Sequence, residues 1–247
     1  MRYSGNKTRF MKQLTPILME HVDEDTIFID AFCGGANVIS AIPHPNKVGI
    51  EINRPIAMLW QHLQKNGMEG IPYDLTEEDY NSVRYDYINQ GHSYPEWLVG
   101  YVGACCSYGS AWFNGYARFN ANRNENHIHE AYRGLEKQLK NFKFFETTEF
   151  VNTDYLIYRY PSPDKCVIYC DPPYAGRKRY ASDFDNNLFW SWARSMSKEG
   201  YHIYVSEYEA PSDFKCIWSQ VKSDGMGTTK NGKKQKKEVE RLFVYDK

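Results

Sequence analysis

The spacing of apolar residues changes character three times along the chain. Over residues 8–20 it is helical, with Phe10, Leu14, Ile17 and Leu18 on one side. Residues 26–30 (Thr-Ile-Phe-Ile-Asp) then read as a short buried strand. It runs into Ala31-Phe32-Cys33-Gly34-Gly35-Ala36, a tight glycine turn, and a short helix. A second short strand is predicted over 47–50, ending at Glu51, with a helix over about 54–65. Strand, glycine turn, helix, strand and acid together open a βαβ unit.

The middle of the chain is polar and rich in Asn, Tyr and Arg. Thr76 with Asp79 three residues on predicts a helix start for 77–89. Further helices are predicted over 95–106 and 127–140, with a Gly-, Asn- and aromatic-rich loop over 107–126 between them. Strand-like texture returns at 143–145, 166–170, 202–206, 216–221 and 241–245, with a helix at about 186–198. The expectation is an α/β domain with seven strands, formed by 1–65 and 141–247 and interrupted by a mostly helical insertion at 66–140.

Composition adjusts this picture in three places. The 20 Tyr, 13 Phe and 6 Trp serve either as core mass or as stacking surface for bases. With a net charge of −1, the chain as a whole is not a basic polyanion binder. Any nucleic-acid contact therefore needs positive charge gathered on one face, for which Arg177-Lys178-Arg179 and the lysines at 230, 233, 234, 236 and 237 are the candidates. The six cysteines form no C-x-x-C pair, and no His lies at zinc-finger spacing from them. Cys166, Cys170 and Cys216 sit in strand-like runs and read as reduced, buried thiols. The polar start from Arg2 predicts no signal peptide, and no apolar run approaches a membrane span.

The chemistry centres on Asp171-Pro172-Pro173-Tyr174, directly after the strand predicted at 166–170. Neither proline has an N–H to donate, so the strand must end in a rigid extended turn. In open α/β sheets this carboxyl edge is where ligands bind. The turn sets the Asp171 carboxylate and the Pro172 carbonyl side by side as acceptors, as an exocyclic NH2 requires. The Tyr174 ring can stack on the base that carries it. At the other motif, Gly34 and Gly35 let a cofactor approach the backbone closely. Glu51, one strand-turn-helix later, can accept hydrogen bonds from both hydroxyls of a ribose.

Asp171-Pro172-Pro173-Tyr174, the Phe32-Cys33-Gly34-Gly35 turn and the N-terminal Tyr3-Ser4-Gly5-Asn6-Lys7 resemble three signatures of the Dam-type adenine-N6 DNA methyltransferases, in the same order. The likeness covers both ends of the chain and is weak over 66–140. It implies a Rossmann-like class I methyltransferase with a mixed seven-stranded sheet and an inserted target-recognition domain. S-adenosyl-L-methionine would be the cofactor, S-adenosyl-L-homocysteine the product, and double-stranded DNA the substrate. No metal, membrane or obligate protein partner is implied, and the setting would be the cytoplasm of a bacterial or phage-infected cell. Asp171, Pro172 and Tyr174 would be catalytic. Tyr3, Lys7, Asp30, Phe32, Gly34, Glu51, Phe150 and Asp171 would meet the cofactor. Phe150, placed after the 143–145 strand and before a helix opening near Asn152, reads equally as a core residue. The family usually carries Asp where this chain has Glu51.

On this reading the target adenine is flipped out of the duplex. Asp171 and the Pro172 carbonyl accept its two N6 protons, and the nitrogen lone pair attacks the methyl group. No cysteine nucleophile takes part. The 107–126 loop would read the target through Trp112, Arg118 and Arg123, with Tyr108, Phe113, Tyr116 and Phe119 nearby, although any one of these reads as well as core of a small helical subdomain. It does not match the reader of GATC-specific members. Arg177, Lys178, Arg179, Lys233 and Lys234 would contact phosphates. Two alternatives share these motifs: cytosine-N4 methylation, whose motif usually begins with Ser, and a catalytically idle DNA-binding module of the same fold.

Overall fold

A computed structural model describes all residues except 2–5, 122–123, 175–183, 222–238 and 247. Tyr3, Arg123, Arg177, Lys178, Arg179 and the lysines of 230–237, Lys233 and Lys234 included, lie outside the described residues.

Among the described residues, seven strands form one mixed sheet: β1 (Ile27–Asp30), β2 (Lys47–Glu51), β3 (Thr148–Asn152), β4 (Cys166–Cys170), β5 (His202–Glu207), β6 (Phe214–Val221) and β7 (Val239–Tyr245), in the order β3-β2-β1-β4-β5-β7-β6. The first five run parallel. β7 inserts antiparallel between β5 and β6. Parallel strands need cover on both faces, and every residue of β2 and β4 is buried accordingly. β6, at the edge, buries little more than its first residue, so Cys216 is exposed rather than buried as its strand-like run suggested.

The helices cover the two faces. α1 (Met11–Leu18) lays Leu14 and Leu18 on the face that carries Phe28, Val167 and Tyr169. α6 (Asn186–Lys198), capped at its N-terminus by Asp185, covers the other face with Phe189 and Ala193. α2 (Arg54–Asn66) starts with Pro55 in its first turn and buries Ile56, Leu59, Trp60 and Leu63. Beyond it come α3 (Glu77–Ile88), opened by the expected Thr76–Asp79 capping box, α4 (Glu96–Cys105) and α5 (His127–Asn141), capped by Asn126. α4 lies against α2 at Gly100, where an added Cβ would stand 2.2 Å from the Pro55 carbonyl oxygen. Tyr80, Tyr101 and Leu135 of these helices share one core with Trp60 and Phe150. No described helix is long and apolar enough to cross a membrane.

Two local expectations are corrected. Residues 143–145 are a turn, not a strand. Phe142 and Phe145 turn inward onto Trp60, while Phe144 between them takes φ 55° and is exposed, which no regular strand allows. The third strand is β3, with Phe150 at its centre. The glycine turn leads into further turns and a single 3-10 turn at Ile39–Ala41 rather than directly into a helix.

Candidate active site

The carboxyl ends of the parallel strands meet at one edge, and most of them carry an acid. Asp30 ends β1, Glu51 ends β2, Asp171 follows β4 and Glu207 ends β5. Because β7 runs the other way, its opening residues reach the same edge, where Arg241 pairs with Glu207 and Glu240 lies one step further out. Asp30, Glu51, Glu207 and Glu240 are all buried. Such a row is costly in water-poor surroundings, and burial pushes Asp30, Glu51 and Glu207 each up to about 7.

A cleft of about 910 Å³ opens above this edge. Lys7, Asp30, Phe32, Gly34, Glu51 and Asp171 line it, as do Trp112, packed on Tyr87 of α3, and residues 90–92 and 94 of the α3–α4 connection. Its geometry at β1 and β2 is set by backbone groups. Gly34 takes φ 45°, a left-handed conformation that glycine adopts without strain. Its N–H donates to Glu51 Oε2 at 2.8 Å, and the Asn53 N–H donates to Oε1 at 2.7 Å. The Trp60 indole N–H fixes the Gly34 carbonyl from below at 2.8 Å. Each Glu51 oxygen keeps a lone pair for a second donor.

At β4 the geometry is set by side chains. Lys7 Nζ donates to Asp171 Oδ1 at 2.8 Å and to Oδ2 at 2.7 Å. The buried ammonium thus opposes the burial that raises Asp171, the largest influence on that carboxyl. Pro172 is buried and Pro173 borders the cleft. The Tyr174 hydroxyl donates to Glu240 Oε2 at 2.8 Å, and its ring meets Tyr208 edge-on, centroids 4.6 Å apart.

Phe150 does not join this site. Its ring stacks on Trp60 in the core, at 5.5 Å and 15°, and of its two readings only the core residue survives. The loop after β3 borders the cleft instead, through 153–156, with the Tyr155 ring 4.9 Å from Phe32. No helix opens at Asn152, whose side chain ties β3 to the Glu51 carbonyl. Arg118 is exposed and paired with Glu77 at 2.6 Å. The sequence pointed to neither Glu240 nor the 153–156 loop; residues 205–208, which hold Glu207, read equally as the target-base side of the pocket and as a core strand with a polar end, and carried no site assignment. Glu240 gave no clear signal: it stands between Val239 and Arg241, one position before the strand expected at 241–245.

A glycine turn after the first strand and an acceptor turn after the fourth suit group transfer from a nucleoside cofactor. With the antiparallel β7 inserted, the architecture is that of a Rossmann-like methyltransferase. The model of the D12 class N6 adenine-specific DNA methyltransferases matches residues 3–215, and the chain belongs to that family. Its chemistry is therefore methylation of adenine N6 in DNA. Among solved structures, one described as "putative methylase HI0767 from Haemophilus influenzae" matches at 14% identity, covering 97% of this chain and 89% of that one with a TM-score of 0.39. No curated protein with detectable sequence similarity was found.

Proposed function

We propose that the cleft takes S-adenosylmethionine, with its ribose on Glu51, and that the 171–174 turn receives an adenine flipped out of double-stranded DNA. The observation that carries this is that one cleft has Glu51 at one end and the Lys7–Asp171 pair at the other. The donor set fits the cofactor. Glu51 retains acceptor capacity for two hydroxyls, Gly34 leaves the backbone open, and Phe32 and Tyr155 offer apolar walls. The volume lies within the range of small-molecule sites. When bound, the cofactor supplies an electrophilic methyl group.

The chain's own residues do the rest. Asp171 accepts a hydrogen bond from one N6–H and the Pro172 carbonyl from the other, which turns the nitrogen lone pair outward; once the N–CH3 bond has formed, the single surplus N6 proton leaves through Asp171 to solvent. Lys7 opposes the rise that burial imposes on Asp171 and so favours its charged, acceptor form. Tyr174 presents a ring face for the flipped base. Catalysis of this kind is positioning plus electrostatics.

Target recognition is assigned to 66–140, with Trp112 and Arg118 as readers. The Arg118–Glu77 pair is exposed and weak in water, so Arg118 can exchange its partner for a base edge or a phosphate. Calorimetry tests the cofactor assignment. Wild type should bind S-adenosylmethionine and S-adenosylhomocysteine at one site, and Glu51→Ala should lose most of that affinity. Undiminished binding by Glu51→Ala would refute the placement.

A further inference from the structure

Tyr174 is held by a residue outside its own motif. Glu240, which accepts the Tyr174 hydroxyl at 2.8 Å, is 1% exposed. It approaches Lys7 Nζ to 3.9 Å. That same ammonium holds both oxygens of Asp171 and lies 4.9 Å from the centroid of the Tyr174 ring. Glu240 therefore touches both side chains that define the turn: the stacking ring directly and the acceptor carboxylate through Lys7. It also lies beyond residues 3–215, the span matched by the family model.

We propose that Glu240 is a positioning residue for methyl transfer, fixing where the Tyr174 ring points and steadying the Lys7–Asp171 pair. The inference rests on reading the 171–174 turn as the adenine site. The Tyr174 hydroxyl lies on the ring's own rotation axis. A hydrogen bond there fixes the direction of the ring and leaves its rotation free. The T-shaped contact with the Tyr208 ring, at an interplanar angle of 82°, supplies the missing constraint. Burying a carboxylate is costly unless it is paired and hydrogen-bonded. Glu240 has both kinds of partner: Tyr174 belongs to the acceptor turn, and Lys7, from the N-terminal segment, holds that turn's Asp171. A 1 Å error in placing reacting atoms costs about 100-fold in rate, so a ring anchored at its far end matters to the chemical step more than to binding.

The test compares wild type, E240Q, E240L and Asp171→Ala in single-turnover methyl transfer. Equilibrium binding of S-adenosylmethionine and of target DNA is measured alongside. E240L should lose about 10- to 100-fold in the single-turnover rate, the worth of a hydrogen bond to a charged group. Its cofactor and DNA affinities should stay within about threefold, as for an interaction that matters chiefly in the transition state. E240Q, whose amide oxygen still accepts the Tyr174 hydroxyl, should recover most of that rate. The rate–pH profile gives a readout that a merely structural role would not move. Asp171 is faced by Lys7 from the N-terminal segment, Glu240 from β7, Glu207 from β5, Asp30 from β1, and Tyr169 and Tyr174 from its own strand and turn. The Glu240 charge raises Asp171, so E240Q should move the acid limb to lower pH.

A wild-type rate in E240L overturns the proposal, and so does an E240Q profile whose acid limb stays in place. If E240L does not fold, the E240Q profile decides alone. Asp171→Ala separates the two levels. Turnover in that variant would remove the site itself, whereas its loss beside an unaffected Glu240 series rejects only the positioning role.

Discussion

At the β1–β2 end of the cleft, the acid is gripped by backbone: Glu51 takes the N–H groups of Gly34 and Asn53. At the β4–β7 end, Asp171 is gripped by the side chain of Lys7, and Tyr174 by that of Glu240. The first arrangement is local. Gly34 and Glu51 are 17 positions apart, so β1, the glycine turn and β2 build this end of the cleft by themselves. The second joins residues 164 and 66 positions apart and exists only once the sheet is complete. The end proposed for the cofactor is thus rigid by secondary structure, whereas the end proposed for the base depends on a charge network that substitution or pH can unbalance.

The largest expected effect falls at the base end. Asp171→Ala should lower turnover by about 1,000-fold or more, as when a group aimed at developing charge is removed, with an unchanged circular dichroism spectrum and retained cofactor binding. At the other end, Glu51→Ala should weaken S-adenosylmethionine by about 10- to 100-fold, with the rate at saturating cofactor nearly preserved. Were both substitutions to affect binding and rate alike, the division between the two ends would be lost.

pH sharpens the same contrast. Burial raises Glu51 from 4.5 to about 7, and a protonated Glu51 has lost acceptor capacity. Cofactor affinity should therefore weaken as pH falls through about 7, and calorimetry from pH 5.5 to 8.5 would show it. Stability of the ligand-free protein should run the opposite way. Between the unfolded value and about 7, the folded state holds a proton that the unfolded chain has released. Stability therefore falls as pH rises across that window, with Asp30 and Glu207 adding in the same direction. Glu51→Gln should flatten both curves in part. The smallest effect on function belongs to Phe150. Phe150→Leu should cost about 1–3 kcal/mol of stability in denaturant titration, because it leaves a gap against Trp60, and should leave cofactor affinity unchanged.

The local end was the legible one. The glycine turn and Glu51 follow from a strand, a turn and an acid within twenty-odd residues, and the structure puts them in contact. The Asp-Pro-Pro-Tyr turn was legible for a similar reason: two prolines can only end a strand. Lys7 was placed by resemblance, but its bidentate hold on Asp171 has no signature in either segment. Glu240 stayed hidden because its role comes from β7 running antiparallel, which returns that strand's start to the catalytic edge. Phe150 failed in the other direction. Two phenylalanines at 144 and 145 suggested a strand, but the inward turn of Phe142 and Phe145 onto Trp60 displaced the strand to 148–152 and put Phe150 in the core.

The most direct test follows the methyl group. Double-stranded DNA of mixed sequence is incubated with the protein and methyl-labelled S-adenosylmethionine, then digested to nucleosides and resolved by mass spectrometry. The label should appear in N6-methyldeoxyadenosine with wild type and vanish with Asp171→Ala. Label in N4-methyldeoxycytidine, or in N6-methyldeoxyadenosine with both proteins, would contradict the account.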